Sequence, residues 1–185
     1  HISVMAVALS LACVGCDGGT DSDEMLDLSS CTLASIQSDY QTTTVSLLKN
    51  DGTLCADSVL HSGSTAPQLL TALSGDVVLP TSASPAGELV LIDRYPNAVL
   101  TFFDPESAAV TAQMSVATGF ASNPQDVFFV SETKAYVSRT ETNANPTDDP
   151  DDFDEGGDVL VINPVTQTIL SRIDMQPYAD SLADA

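Results

Sequence analysis

Eight carboxylates crowd into one stretch, ETNANPTDDPDDFDEGGD (141–158): Glu141, Asp148, Asp149, Asp151, Asp152, Asp154, Glu155 and Asp158. Closely spaced carboxylates on a flexible backbone are hard oxygen ligands, and calcium is the cation they suit. Asp149, Asp151, Asp154 and Asp158 are the candidate ligands, with a glycine bend at 156–157 to help them converge. The spacing departs from an EF-hand loop: counted from Asp149, position five is Phe153 and position twelve carries no glutamate. A solvated acidic loop and a docking strip for a basic protein are the other readings of the same residues.

Cysteines carry the second set of chemistry. Cys31 and Cys55 are the only two beyond the apolar start of the chain. Pairing them would close a loop of about 25 residues and constrain the unfolded chain by roughly 3 kcal/mol. Neither belongs to a CxxC pair and no histidine stands near them, so the spacing does not suggest a zinc site. Cys13 and Cys16 lie at the end of the apolar run ISVMAVALSLACVG (2–15), after which CDGGTDSDEMLD turns sharply polar. That run is too short to span a bilayer and has the length and small-residue ending of a signal-peptide core. No basic region precedes it and the chain begins with His1, the pattern of a truncated start.

Val14-Gly15-Cys16 resembles the lipobox of bacterial lipoproteins, in which the cysteine after the cleavage point takes the lipid. The resemblance departs three residues upstream, where Cys13 stands in place of the usual leucine and is itself a rival acceptor. It implies export, a lipid anchor on Cys16 and a place at the outer membrane or the periplasmic face of the cell envelope. Residues 1–15 are then a signal-peptide remnant and 16–30 an acidic tether with too little apolar content to fold.

The elements that must position these groups repeat. AVLTFFDPESAAVTAQMSV (98–116) aligns without gaps on GDVLVINPVTQTILSRIDM (157–175), placing Asp104-Pro105 over Asn163-Pro164. Upstream, ELVLIDR (88–94) matches TKAYVSR (133–139), and GDVVLP (75–80) matches QDVFFV (125–130). Short β-prone runs separated by Pro, Asn and Gly predict strands near 76–80, 88–95, 98–104 and 108–116, then 126–131, 133–140, 157–163 and 167–174. The nearly all-apolar runs DVFFV and VLVI suggest strands covered on both faces. Before them, TTTVSLLKNDGTLCA (42–56) reads as a hairpin about an Asn-Asp-Gly turn, and LLTALS (69–74) is ambiguous between helical turn and strand.

These features predict an all-β chain, a partial β-propeller of two to three four-stranded blades, with a β-sandwich as the alternative. Residues 31–75 form an N-terminal β region and 76–185 the blades, interrupted by the acidic loop. Asn123-Pro124-Gln125-Asp126 with its apolar run, the Lys134–Ser138 stretch and GDVLVINPVTQTI resemble the propeller repeats of surface-layer and quinoprotein-amine-dehydrogenase-like (YVTN-type) proteins over about 76–175. The first unit lacks the Asn-Pro opening. The resemblance implies a fold and leaves function open, because one scaffold serves many activities.

Charge narrows the partners. Twenty-six acids against five bases give a formal charge of −21, which repels phosphate backbones and excludes nucleic acid as a natural ligand. Envelope proteins or extracellular ligands are the expected partners, with the membrane reached through the lipid anchor. An enzymatic alternative, a metal-dependent hydrolase of lactonase type completed by further blades, would draw on Glu88, Asn97, Asp126 and Asn163. No histidine lies in the repeats, and His61 stands alone in VLHSGS.

Overall fold

The computed structural model describes residues 28–179. The leader, Cys13, Cys16 and nearly all of the acidic tether lie outside them. The fold is all-β, with three antiparallel sheets laid down in chain order. Sheet 1 holds β1 (Leu33–Ser38), β2 (Thr43–Leu48) and β3 (Leu54–His61). Sheet 2 holds β4 (Val77–Val78), β5 (Leu89–Asp93), β6 (Val99–Asp104) and β7 (Ala109–Ser115). Sheet 3 holds β8 (Pro124–Ser131), β9 (Lys134–Thr142), β10 (Gly156–Asn163) and β11 (Thr168–Asp174), followed by one helical turn, α1 (Gln176–Ala179). Each sheet is a simple meander, with strands consecutive in the chain lying side by side.

Side-chain alternation places sheet 2 between the other two. Leu89, Leu91, Phe103 and Val110 pack with Ala34, Val45, Leu47 and Leu60 of sheet 1. Val90, Ile92, Leu100, Phe102 and Met114 pack with Val127, Ala135, Val137, Leu160 and Ile162 of sheet 3. Odd and even residues of β5 thus enter different cores, the geometric consequence of a two-residue period in a strand covered on both sides. The sheets approach one another along β1 and β4 and along β5 and β8, in the serial order of propeller blades.

The repeat is conserved in backbone detail. Residues 104–108 and 163–167 form the same turn: Asp104 accepts from the Glu106 amide at 2.9 Å, and Asn163 from the Val165 amide at 3.1 Å. Each turn ends on a residue in the left-handed region, Ala108 (φ 52°) and Gln167 (φ 54°). Both units then carry a bulge at the same place, opposite Phe102/Phe103 in sheet 2 and Val161/Ile162 in sheet 3.

Three expectations need correction. First, Val90 pairs with Phe102, and Tyr136 with Val161. Since Phe102 and Val161 are repeat equivalents, Val90 corresponds to Tyr136, not to Ala135, and the 88–94/133–139 alignment slips by one residue. One residue in a strand exchanges the faces, so the slip would have put Val90's equivalent on the wrong side. Second, only β5 and β6 are apolar and buried on both sides; in DVFFV and VLVI buried and more accessible residues alternate, with Val127 buried and Phe128 exposed. Third, LLTALS adds neither helix nor strand. The Leu70 and Thr71 amides instead donate to Gln113 Oε1 at 2.7 and 2.8 Å, and Leu73 fills the first core.

Candidate functional site: the braced acidic loop

Strands β9 and β10 extend past the rest of sheet 3, pairing Thr142 with Gly156, and the acidic insertion joins their ends. Gly156 is required at this closure. Its φ is +71°, and a Cβ there would lie 2.1 Å from the Glu141 carbonyl oxygen and 2.6 Å from the Phe120 ring.

Arg139 braces the base. Its side chain is fully buried and grips Asp158 with both forks, Nε to Oδ1 at 2.7 Å and Nη2 to Oδ2 at 2.6 Å. The remaining donors reach the Val116 carbonyl at 3.1 Å, the Thr118 hydroxyl at 2.6 Å and the Phe153 carbonyl at 2.7 Å. One guanidinium therefore ties β9, β10, the 116–118 segment and the loop together, its planar fork matching a carboxylate. The Phe120 ring lies 5.4 Å from its centre, adding a cation–π contact. Arg172 on β11 adds a second tie, 3.0 Å from Glu155 and 3.5 Å from Asp158.

Above the base the loop folds on itself. The Asn143 amide donates to the Glu155 carbonyl at 2.8 Å, and the Thr147 amide to Asp154 Oδ2 at 2.9 Å. The Thr147 hydroxyl donates to Asp152 Oδ2 at 2.8 Å, and the Asp151 amide to Asp149 Oδ1 at 3.0 Å. Phe153 turns inward and packs on the second core. The result is a loop anchored by buried groups and tipped by exposed Asp148, Asp149, Asp151 and Asp152.

The four candidate calcium ligands are dispersed by this arrangement. Asp149 and Asp151 stand on the exposed tip, Asp154 is buried beneath it, and Asp158 is held by the two arginines. Among the described residues, no three His, Cys, Asp or Glu side chains form a metal-holding group. Asp154 Oδ1 is buried and lacks a hydrogen-bond partner, while its Oδ2 carries the loop's contacts.

The lactonase-type set does not gather either. Glu88 accepts from the Thr111 hydroxyl at 2.6 Å, and Asp126 holds the Thr81 amide and hydroxyl at 2.8 and 2.6 Å. Asn97 bridges Asp93 and the Ala72 carbonyl, and Asn163 closes its turn. His61 sits exposed at the end of β3, with Nδ1 accepting from the Gly63 amide at 3.0 Å. Cys31 and Cys55 are bonded to each other, their Cα atoms 6.1 Å apart, and pack beside the first core.

At the position equivalent to Arg139, sheet 2 buries Asp93. Burial pushes its carboxyl above the ordinary value near 3.8, against the pull of hydrogen bonds from Ser74 and Asn97. The same buried position therefore bears opposite charge in the two units, anion in one and cation in the other. A cleft of about 340 Å³ opens between sheets 2 and 3, floored by Phe102, Ala112 and Phe129 with Glu88 and Glu132 on its wall.

The acidic loop was visible in the sequence, but the arginines that brace it were not singled out. Their scarcity was the available signal: two of only five bases, Arg139 and Arg172, fall in strands beside the insertion. No helix among the described residues is long and apolar enough to cross a membrane. No protein-family model matches the chain, and no curated protein matches it.

Proposed function

We propose that the chain is an exported binding module, anchored through lipid on Cys16, that presents the 141–158 loop to protein or small ligands at the outer membrane or periplasmic face of the cell envelope. The observation that carries this reading is the contrast within the loop: a base locked by buried Arg139, and a tip of exposed carboxylates. A mobile acidic segment loses conformational freedom on binding, whereas a braced one has already lost much of it. Loops set on rigid sheets are where such scaffolds carry recognition. The tip's charge selects a basic protein surface or a divalent cation such as calcium. The fully used Arg139–Asp158 pair and the scattered Glu88, Asn97, Asp126 and Asn163 give no support to the hydrolase reading.

Titration calorimetry with calcium chloride, and separately with an oligolysine peptide, tests the loop. Binding of one of them should vanish when Asp148, Asp149, Asp151 and Asp152 are all changed to Asn. Absence of heat from both, up to millimolar calcium, would remove the loop as the binding element. Mass spectrometry of the mature protein from its native host tests the anchor: acyl chains on Cys16 are expected, an acylated Cys13 would move the anchor there, and absence of acyl chains from both would rule the anchor out.

A further inference from the structure

The cleft of about 340 Å³ between sheets 2 and 3 lies at the end of sheet 3 opposite the acidic loop. It is bordered by Glu132, in the turn joining β8 to β9, and by the 163–167 turn joining β10 to β11, whereas the acidic loop joins the far ends of β9 and β10. Its walls are fixed. Phe102 and Ala112 are paired across β6 and β7 and floor it from sheet 2, and Phe129 of β8 floors it from sheet 3. The 81–88 segment forms one side and is pinned to β8. Thr81 donates twice to Asp126, and the Phe129 amide donates to the Ser82 hydroxyl at 3.0 Å.

The lining carries two carboxylates, Glu88 and Glu132, and no Lys, Arg or His. The Thr111 hydroxyl donates to Glu88 Oε1 at 2.6 Å, which orients the carboxylate and leaves Oε2 without a protein partner among the described residues. Glu132 has no such partner either. Lys134 is the nearest base in sequence, and its ammonium lies over Tyr136, 5.3 Å from the ring centre. Tyr136 alternates with Ala135, the partner of Phe129, so that ammonium is on the other face of sheet 3.

We propose that this cleft binds a small organic cation, its positive head at Glu88 and Glu132 and its apolar body on Phe102, Ala112 and Phe129. Each alternative occupant leaves a mismatch. An anion would meet two carboxylates in a chain of formal charge −21. A neutral apolar molecule would strip water from the carboxylates without pairing them. A bare divalent cation seeks about six to eight oxygens, and the floor offers none. The volume is at the small end of the roughly 300–1,000 Å³ of small-molecule sites, which suits a single ring or a short chain.

A second cleft is an internal control. On the sheet 1 side of the same two strands, about 350 Å³ lies among Val59, Leu60, Phe103, Val110 and the 64–68 segment, with no charged side chain. Phe102 and Phe103 point to opposite faces, so each belongs to its own cleft. A ligand held by its charge prefers the first cleft, and one held by its apolar body alone does not distinguish the two. The site is independent of what the acidic loop binds.

NMR titration of the full chain at near-physiological sodium chloride tests it, with benzamidinium chloride as the probe. Benzamide is the neutral isostere, and acetamidinium carries the head without the ring. Saturable benzamidinium binding is expected, with amide shifts centred on Glu88, Phe129, Glu132 and Gln167. Benzamide and acetamidinium should each bind at least about tenfold more weakly, and Glu88→Gln and Glu132→Gln should each weaken benzamidinium binding by about the same factor. Glu132 stands on an exposed turn, so its substitution keeps the test decisive should Glu88→Gln disturb the Thr111 contact. Changing Asp148, Asp149, Asp151 and Asp152 to Asn should leave the affinity unaltered, which separates the cleft from the loop. Absence of saturable binding, benzamide binding as tightly as benzamidinium, shifts centred on the 64–68 segment, or an affinity untouched by Glu132→Gln would each overturn the proposal.

Discussion

At the residue scale, two buried charges bear different burdens. Arg139 satisfies a carboxylate, two carbonyls and a hydroxyl at once, so its removal strands several buried groups. Arg139→Met is expected to cost about 3–5 kcal/mol, read as a lowered urea midpoint. Asp158→Asn keeps the shape but replaces one of the two accepting oxygens with an NH2 donor that faces an Arg139 N–H, and it leaves the buried guanidinium unpaired, so it should cost a similar amount. Asp93 runs the other way in acid. Its folded-state pKa lies above the unfolded value near 3.8, so the folded form takes up the proton first. Its contribution to stability is therefore full below the unfolded value and is lost as pH rises through the folded one. Urea midpoints of wild type and Asp93→Asn, compared as pH falls from neutrality to below 4, should show wild type gaining on the variant (about 3.8 marks the lower end of the window). A constant difference between the two would show that burial does not raise Asp93.

At the element scale, the repeat's turns and the loop closure give opposite expectations for glycine. Ala108 and Gln167 hold the left-handed conformation at a cost that glycine does not bear. Gln167→Gly should stabilise by about 0.5–1 kcal/mol in thermal or urea unfolding, after allowance for glycine's larger unfolded-state entropy. Gly156→Ala should destabilise by about 2 kcal/mol or more, because its Cβ meets the backbone of Glu141. Much of this level was legible beforehand. Asp104-Pro105 and Asn163-Pro164 marked their turns, and the strands flanking them stand within two residues of their expected ends. Strand faces were harder to read. Periodicity tells that a strand has two faces but not which one a neighbouring sheet covers, so VLVI looked doubly buried when only Leu160 and Ile162 are. The 88–94/133–139 alignment failed for a related reason: apolar residues at adjacent positions score alike in either register, and only pairing with β6 and β10 separates them. The bracing of the loop was illegible because Arg139 and Asp158 stand 19 residues apart and meet only when β9 and β10 pair.

At the scale of the whole molecule, three sheets share two cores, and the sheet in the middle belongs to both. Sheet 1 has only three strands, and the Cys31–Cys55 bond links the segment before β1 to β3. Cys31→Ser with Cys55→Ser should lower stability by about 2–4 kcal/mol, measured by denaturant unfolding, with the loss concentrated in sheet 1. The stack serves the acidic loop by fixing the ends of β9 and β10 from which it rises. Whether that loop is a fixed surface decides the functional account, and native-state hydrogen exchange reads it most directly. The Asn143 and Thr147 amides, bonded to the Glu155 carbonyl and to Asp154, are predicted to exchange slowly alongside β9 and β10 in wild type and to lose that protection in Arg139→Met. Exchange of both amides at the rate of an unstructured segment in the wild-type chain would contradict a braced loop.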